Sequence, residues 1–154
     1  MMNRALITGL LALTLNAAFA ADTSPAPQDT LAGARAQIAA KNWAGALEEL
    51  KRVNDVTSAD WNNLMGYSLR KQKTPDLAGS EKFYNEALRI NPQHRGTLEY
   101  SGELYLMKGD LATAEKRLAA LDKACTLPCA EYTTLKNAIA RYKANGNQSA
   151  SSDY

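Results

Sequence analysis

At 154 residues, with 45% hydrophobic and 22% charged side chains, the chain has the makeup of one small globular domain. Its net charge of +2 is carried by lysines and arginines scattered among acids. That leaves out the basic excess on which binding to nucleic acid or to an anionic membrane surface depends.

The first twenty residues read as a signal peptide. Arg4 supplies a positive start, residues 5–15 form a short apolar run, and Ala18-Phe19-Ala20 gives the small-x-small pattern of a cleavage site before Ala21. The apolar run falls short of the roughly 20 residues a bilayer span requires; the competing reading is an uncleaved N-terminal anchor. No cysteine stands at the expected mature start for a lipid. The expected location is therefore periplasmic or secreted, with no membrane contact after cleavage. Residues 21–28 form a polar, proline-containing lead, and residues 145–154 a polar tail. Neither can bury enough apolar surface to offset the entropy of ordering, so both are expected to be disordered.

Between them the pattern predicts seven helices over 29–41, 43–54, 59–72, 76–90, 95–108, 110–124 and 129–144. No period-2 alternation suggests a strand. Ser58, Asp76 and Asp110 are placed to cap helix starts, Pro92 blocks the helix ending near Ile90, and Gly109 suits a left-handed helix stop. In the last helix Tyr132, Leu135, Ile139 and Tyr142 form one apolar stripe, opposite a polar face with Lys136 and Arg141.

The strongest signal is internal repetition. Gly66 and Gly102 each fall mid-helix, where glycine is unfavourable by roughly 1 kcal/mol against alanine. A compensating close helix approach is expected at each. Aligning the segments on those glycines sets Leu69 against Tyr105; past a longer loop at Lys73-Thr74-Pro75, Ser80 falls against Ala114 and Tyr84 against Leu118. With Trp61, Ala87, Pro92, Gly109 and Asp110, these residues resemble the tetratricopeptide repeat (TPR) family, whose unit is about 34 residues. The chain is similar to small exported bacterial proteins of that class. The resemblance implies an all-α fold: a right-handed superhelical TPR solenoid of about three helix hairpins (27–58, 59–94 and 95–125, the first degenerate) closed by a C-terminal capping helix, 129–144. It implies an architecture and not an activity.

In this family the first helix of each repeat lines a concave face. Carried over, the inward positions are Asn63, Tyr67, Arg70 and Lys71, then Glu99, Glu103, Leu106 and Met107, with Arg35 and Ile38 from the degenerate repeat. Helical spacing puts each set on one face. The expected result is a groove with a basic wall beside an acidic one, and Tyr67, Leu106 and Met107 as apolar anchors. Chaperone-binding members grip a C-terminal carboxylate at such positions; Glu99 and Glu103 would repel one, so a clamp for acidic tails is not expected.

Cys125 and Cys129 are the only cysteines. In an exported chain such a pair favours a disulfide; a redox or metal role and free thiols are the alternatives. Two thiolates leave a metal site short of ligands, and the single histidine, His94, falls in a turn. No nucleophile constellation or phosphate loop is visible. Trp43, Trp61, Tyr84, Tyr100 and Tyr105 read as packing residues. The expectation is a non-enzymatic periplasmic interaction module without a cofactor, an adaptor or assembly factor that binds an unknown protein or peptide in its concave groove. The rivals are an accessory factor acting through Cys125/Cys129 and a structural domain with weak self-association.

Overall fold

The computed structural model describes residues 29–149. The expected signal peptide (1–20), the lead (21–28) and residues 150–154 lie outside the described residues. Among the described residues there are seven helices and no strand: α1 (Ala32–Ala39), α2 (Trp43–Val53), α3 (Ala59–Arg70), α4 (Leu77–Ile90), α5 (Arg95–Met107), α6 (Leu111–Ala124) and α7 (Ala130–Ala144).

Local chemistry fixes the helix starts. Asn42, Ser58, Asp76 and Asp110 each accept, through a side-chain oxygen, a backbone N–H of the first turn that has no partner within the helix. His94 does the same for α5 through a ring nitrogen. The turn from α5 to α6 passes through Gly109 at φ +79°, a conformation that costs glycine nothing. α1 begins later than the expected residue 29, because Asp29 and Thr30 form a turn in which the Asp29 carboxylate accepts the Leu31 N–H at 3.0 Å.

Consecutive helices pair as α1/α2, α3/α4 and α5/α6; neighbouring pairs touch through α2–α3, α4–α5 and α3–α5, and α7 lies on α5 and α6. Two apolar clusters result. One gathers Leu31, Ala34, Leu50, Trp61, Leu64 and Met65. The other joins Leu98, Tyr105, Leu106 and Leu121 to the α7 residues Leu135, Ala138, Ile139 and Tyr142. The stripe expected on α7 is thus the face it buries, while Lys136 and Arg141 stay exposed. No helix among the described residues is long and apolar enough to cross a membrane.

Both mid-helix glycines sit at close contacts, with different partners. A Cβ on Gly66 would lie 2.7 Å from two ring carbons of Tyr84 and 3.1 Å from the Ser80 carbonyl oxygen, both on the hairpin partner α4. A Cβ on Gly102 would meet Leu135 at 2.5 Å, on α7. The hairpin partner α6 is therefore not what requires glycine there. A side chain as large as Leu135, from the next element along, fills the space instead.

Of the tail expected to be disordered, 145–154, the described residues include the first five. Asn145 to Ser149 fold back against α5: the Asn147 N–H donates to the Tyr142 carbonyl at 3.0 Å, and the Ser149 hydroxyl to the Leu106 carbonyl at 2.7 Å. Backbone bonds and a left-handed Gly146–Asn147 pair order this segment without apolar burial.

Candidate functional site

The residues expected to line the groove come from α3 and α5, and the structure divides them into two groups. Arg70, Glu103, Leu106 and Asn63 are buried. Arg70, only 2% exposed, reaches from α3 to α5, where its Nη2 donates to Glu103 Oε2 at 2.7 Å. Its guanidinium also lies 5.6 Å from the Tyr67 ring centre and 5.8 Å from that of Tyr100. The two expected charged walls therefore neutralise each other at their centre. Asn63 accepts the Thr97 hydroxyl at 3.0 Å. Leu106 is fully buried in the α5–α7 core, beneath the returning tail. These four burials share one cause: adjacent helices are close enough that a side chain aimed into the groove meets the neighbouring helix before it meets solvent.

Tyr67, Lys71, Glu99 and Met107 keep part of their surface exposed. Tyr67 is the middle ring of a ladder. Trp43 of α2 meets it edge-on at 5.8 Å between ring centres, and Tyr100 of α5 lies tilted against it at 4.5 Å. Three successive hairpins thereby contribute one aromatic surface. Tyr100 was expected to be a packing residue; it is half-buried and shares the face of Glu99 and Glu103. Burial pushes its hydroxyl up to about 12, reinforced by Glu99. Burial likewise raises the Tyr67 hydroxyl, against the pull of Arg70.

Lys71 and Glu99 enter no ion pair among the described residues. Burial pushes the Glu99 carboxyl up to about 7, and repulsion from Glu103 and Glu131 adds to it. The Lys71 ammonium is held below its ordinary value by burial and then by Arg70. The expected set thus keeps one basic and one acidic side chain that are partly exposed and outside any ion pair among the described residues.

At the start of α5 stands a second polar group. His94 Nε2 lies 3.0 Å from Asp60 Oδ1, and His94 Nδ1 accepts the Thr97 backbone N–H at 3.1 Å, which places the proton of the neutral ring on Nε2. The Thr97 hydroxyl is 2.7 Å from the same Nδ1. The order carboxylate, imidazole, hydroxyl resembles a nucleophile relay, but Thr97 has no exposed surface and its hydroxyl is also bonded to Asn63. The arrangement caps α5 and ties it to α3. Arg35 extends the tie to α1, 3.6 Å from Asp60. The turn residue His94 is thus a cap through its local bond to Thr97 and a tie through Asp60, whose distance in space the sequence does not show.

Cys125 and Cys129 bring their sulfurs to bonding distance, 2.05 Å, with Cα atoms 5.9 Å apart. The loop they close holds Leu127, which is 78% exposed. Among the described residues no three His, Cys, Asp or Glu side chains gather as a metal site would need. Across the molecule, Val56, Trp61, Phe83 and Ile90 line an open cleft of about 500 Å³ that the sequence reading did not anticipate. Its one signal was Val56, an apolar residue in a polar turn, here 53% exposed. Comparison with protein-family models, with curated proteins and with solved structures returned no match.

Proposed function

We propose that this chain is an exported binding module. Its three hairpins form a right-handed TPR-type solenoid capped by α7, and its concave face holds a peptide segment of a periplasmic partner, as an adaptor or assembly factor does. The observation that carries this reading is the ladder Trp43–Tyr67–Tyr100, which crosses three hairpins, with Lys71 and Glu99 of the same helix faces in no ion pair among the described residues. Aromatic rings give an extended chain apolar contact at low entropic cost, while unpaired charges at the edges set its register. The role is binding and not catalysis, and the Cys125–Cys129 link is structural. The sequence of Arg4, apolar run and Ala18-Phe19-Ala20 supports export, and protein recovered from cells should begin at Ala21.

The test is affinity capture from periplasmic extract with three forms of the protein. Glu99→Lys/Lys71→Glu should lose the captured partner while keeping its helical spectrum. Lys136→Glu/Arg141→Glu, on the exposed face of α7, should keep it. The opposite pattern moves the interface to α7.

A further inference from the structure

Among the described residues two large apolar side chains are exposed, Val56 at 53% and Leu127 at 78%. Val56 edges the cleft of about 500 Å³ that it lines with Trp61, Phe83 and Ile90, while Leu127 projects from the loop between α6 and α7. The repeat does not demand this apolar lining. With Ser80 set against Ala114, Phe83 and Ile90 fall against Arg117 and Ala124 of the third hairpin, a charged residue and a small one.

Most polar side chains at the cleft are already engaged. Trp61 Nε1 donates to the Leu50 carbonyl at 2.7 Å, and the Asn62 amide donates to the carbonyls of Val56 and Ser58 at 2.9 and 2.8 Å. The Thr57 hydroxyl donates to Asp55, and Arg89 pairs with Glu86. Lys82 is left over, exposed and in no ion pair among the described residues. The cleft therefore suits an apolar group with one negative charge beside it, and it offers a polar metabolite no convergent set of hydrogen bonds.

The α6–α7 loop carries that chemistry. Leu127 and Pro128 stand in the turn that the Cys125–Cys129 link closes, and Asp122 lines the same small hollow with them. Asp122 is exposed and, like Lys82, in no ion pair among the described residues. Lys123, next along the chain, does not line that hollow. A turn closed by a covalent link has less freedom to lose on docking. No residue of this loop lines the cleft of its own chain, so the match is between two copies.

We propose that the α6–α7 loop of one copy docks in the cleft of a second copy, Leu127 against the apolar lining and Asp122 toward Lys82. This is a second interaction surface, independent of the groove reading. Each copy carries one loop and one cleft, so the contact is either exchanged between two copies or propagated head to tail. The surface is smaller than a stable interface, so association is transient, with a dissociation constant on the order of 100 µM to 1 mM.

Sedimentation equilibrium on the purified chain, from about 10 µM to about 1 mM, tests this. The mean mass should rise with concentration. Leu127→Ser should weaken association about tenfold. Lys82→Glu should weaken it about fivefold, and Lys82→Glu/Asp122→Lys should restore it, because the charge pair is then inverted and not removed. These positions are exposed, so each variant should keep its helical spectrum. Glu99→Lys/Lys71→Glu, altered in the groove, should associate as the unaltered chain does. In amide NMR spectra of the unaltered chain, dilution should move the signals of Val56, Lys82 and Leu127. A constant monomer mass overturns the proposal, as does undiminished association of Leu127→Ser. So do a double variant as weak as Lys82→Glu alone, loss of association in the groove variant, and dilution shifts confined to other residues. Capture of the periplasmic partner decides the groove reading separately.

Discussion

Replacing Arg70 with methionine should be among the most damaging single changes in this protein. Arg70 is 2% exposed and Glu103 8%, so the methionine leaves a carboxylate with little water and no counter-charge. Breaking a buried pair from one side costs about 3–5 kcal/mol, whereas replacing both partners with apolar groups of similar volume is close to neutral. For a domain of this size the single change should lower the melting temperature by roughly 10–20 °C. The Arg70→Met/Glu103→Met protein should melt near the original, because the desolvation penalty disappears with both charges. Lys71→Glu, the adjacent residue, is the control: it is partly exposed and unpaired, and should cost no more than about 0.5 kcal/mol. Thermal unfolding followed by far-ultraviolet circular dichroism measures all four proteins. If Arg70→Met melts as Lys71→Glu does, the ion pair is not buried as described. If the double variant loses as much as the single, the deficit comes from lost packing and not from an orphaned charge.

Gly66→Ala should destabilise by roughly 1–2 kcal/mol, since overpacking against the buried Tyr84 ring and the Ser80 carbonyl outweighs the gain of about 1 kcal/mol in helix propensity. Gly102→Ala should cost less, because the Leu135 methyls it meets can rotate aside; a larger loss at Gly102 in urea titrations would reverse that assignment. Glu99, raised in the folded state to about 7, binds its proton more tightly folded than unfolded. Its contribution to stability is therefore fully present at acidic pH and is lost as pH rises toward 7; Glu99→Gln should flatten that slope, and an unchanged slope between pH 5 and 8, the interval that brackets its titration, argues that the carboxyl is solvated. Cys125→Ser/Cys129→Ser should lower stability by about 2 kcal/mol, the loop-closure term for so short a loop, and should still capture the partner; loss of capture at unchanged fold favours a redox or metal role.

Helix positions were legible in the sequence because capping, turn chemistry and apolar periodicity are local. Ser58, Asp76 and Asp110 cap where their spacing says they should, and Gly109 takes the left-handed turn. Contacts between helices were only half legible. The two aligned glycines announced close approach, yet nothing in their spacing could tell that Gly66 faces Tyr84 while Gly102 faces Leu135. The groove was read from helical faces taken one at a time. A face shared by Asn63, Tyr67, Arg70 and Lys71 is real, but which of them is consumed by the neighbouring helix depends on the distance between helices. Arg70 and Glu103 were assigned to opposing walls for that reason. Tyr100 was left out of the groove because aromatic residues most often pack, and only its overlap with Tyr67 at 4.5 Å makes it part of a continuous surface.

On the proposed reading as a binding module, three hairpins are few, and that shortage shapes what remains for a ligand. The contact between the second and third hairpins uses polar side chains of that face, Asn63 with Thr97 and Arg70 with Glu103. What survives on the open face is one aromatic row with a cation and an anion at its margins. A folded partner bound stably buries about 800 Å² per side, more than three rings in a row supply. The row suits a short extended segment whose backbone crosses the rings and whose charges are set by Lys71 and Glu99. On this argument, charge changes at Lys71 and Glu99 should alter which segments the protein accepts more than how stably it folds, since both are partly exposed and outside any ion pair among the described residues.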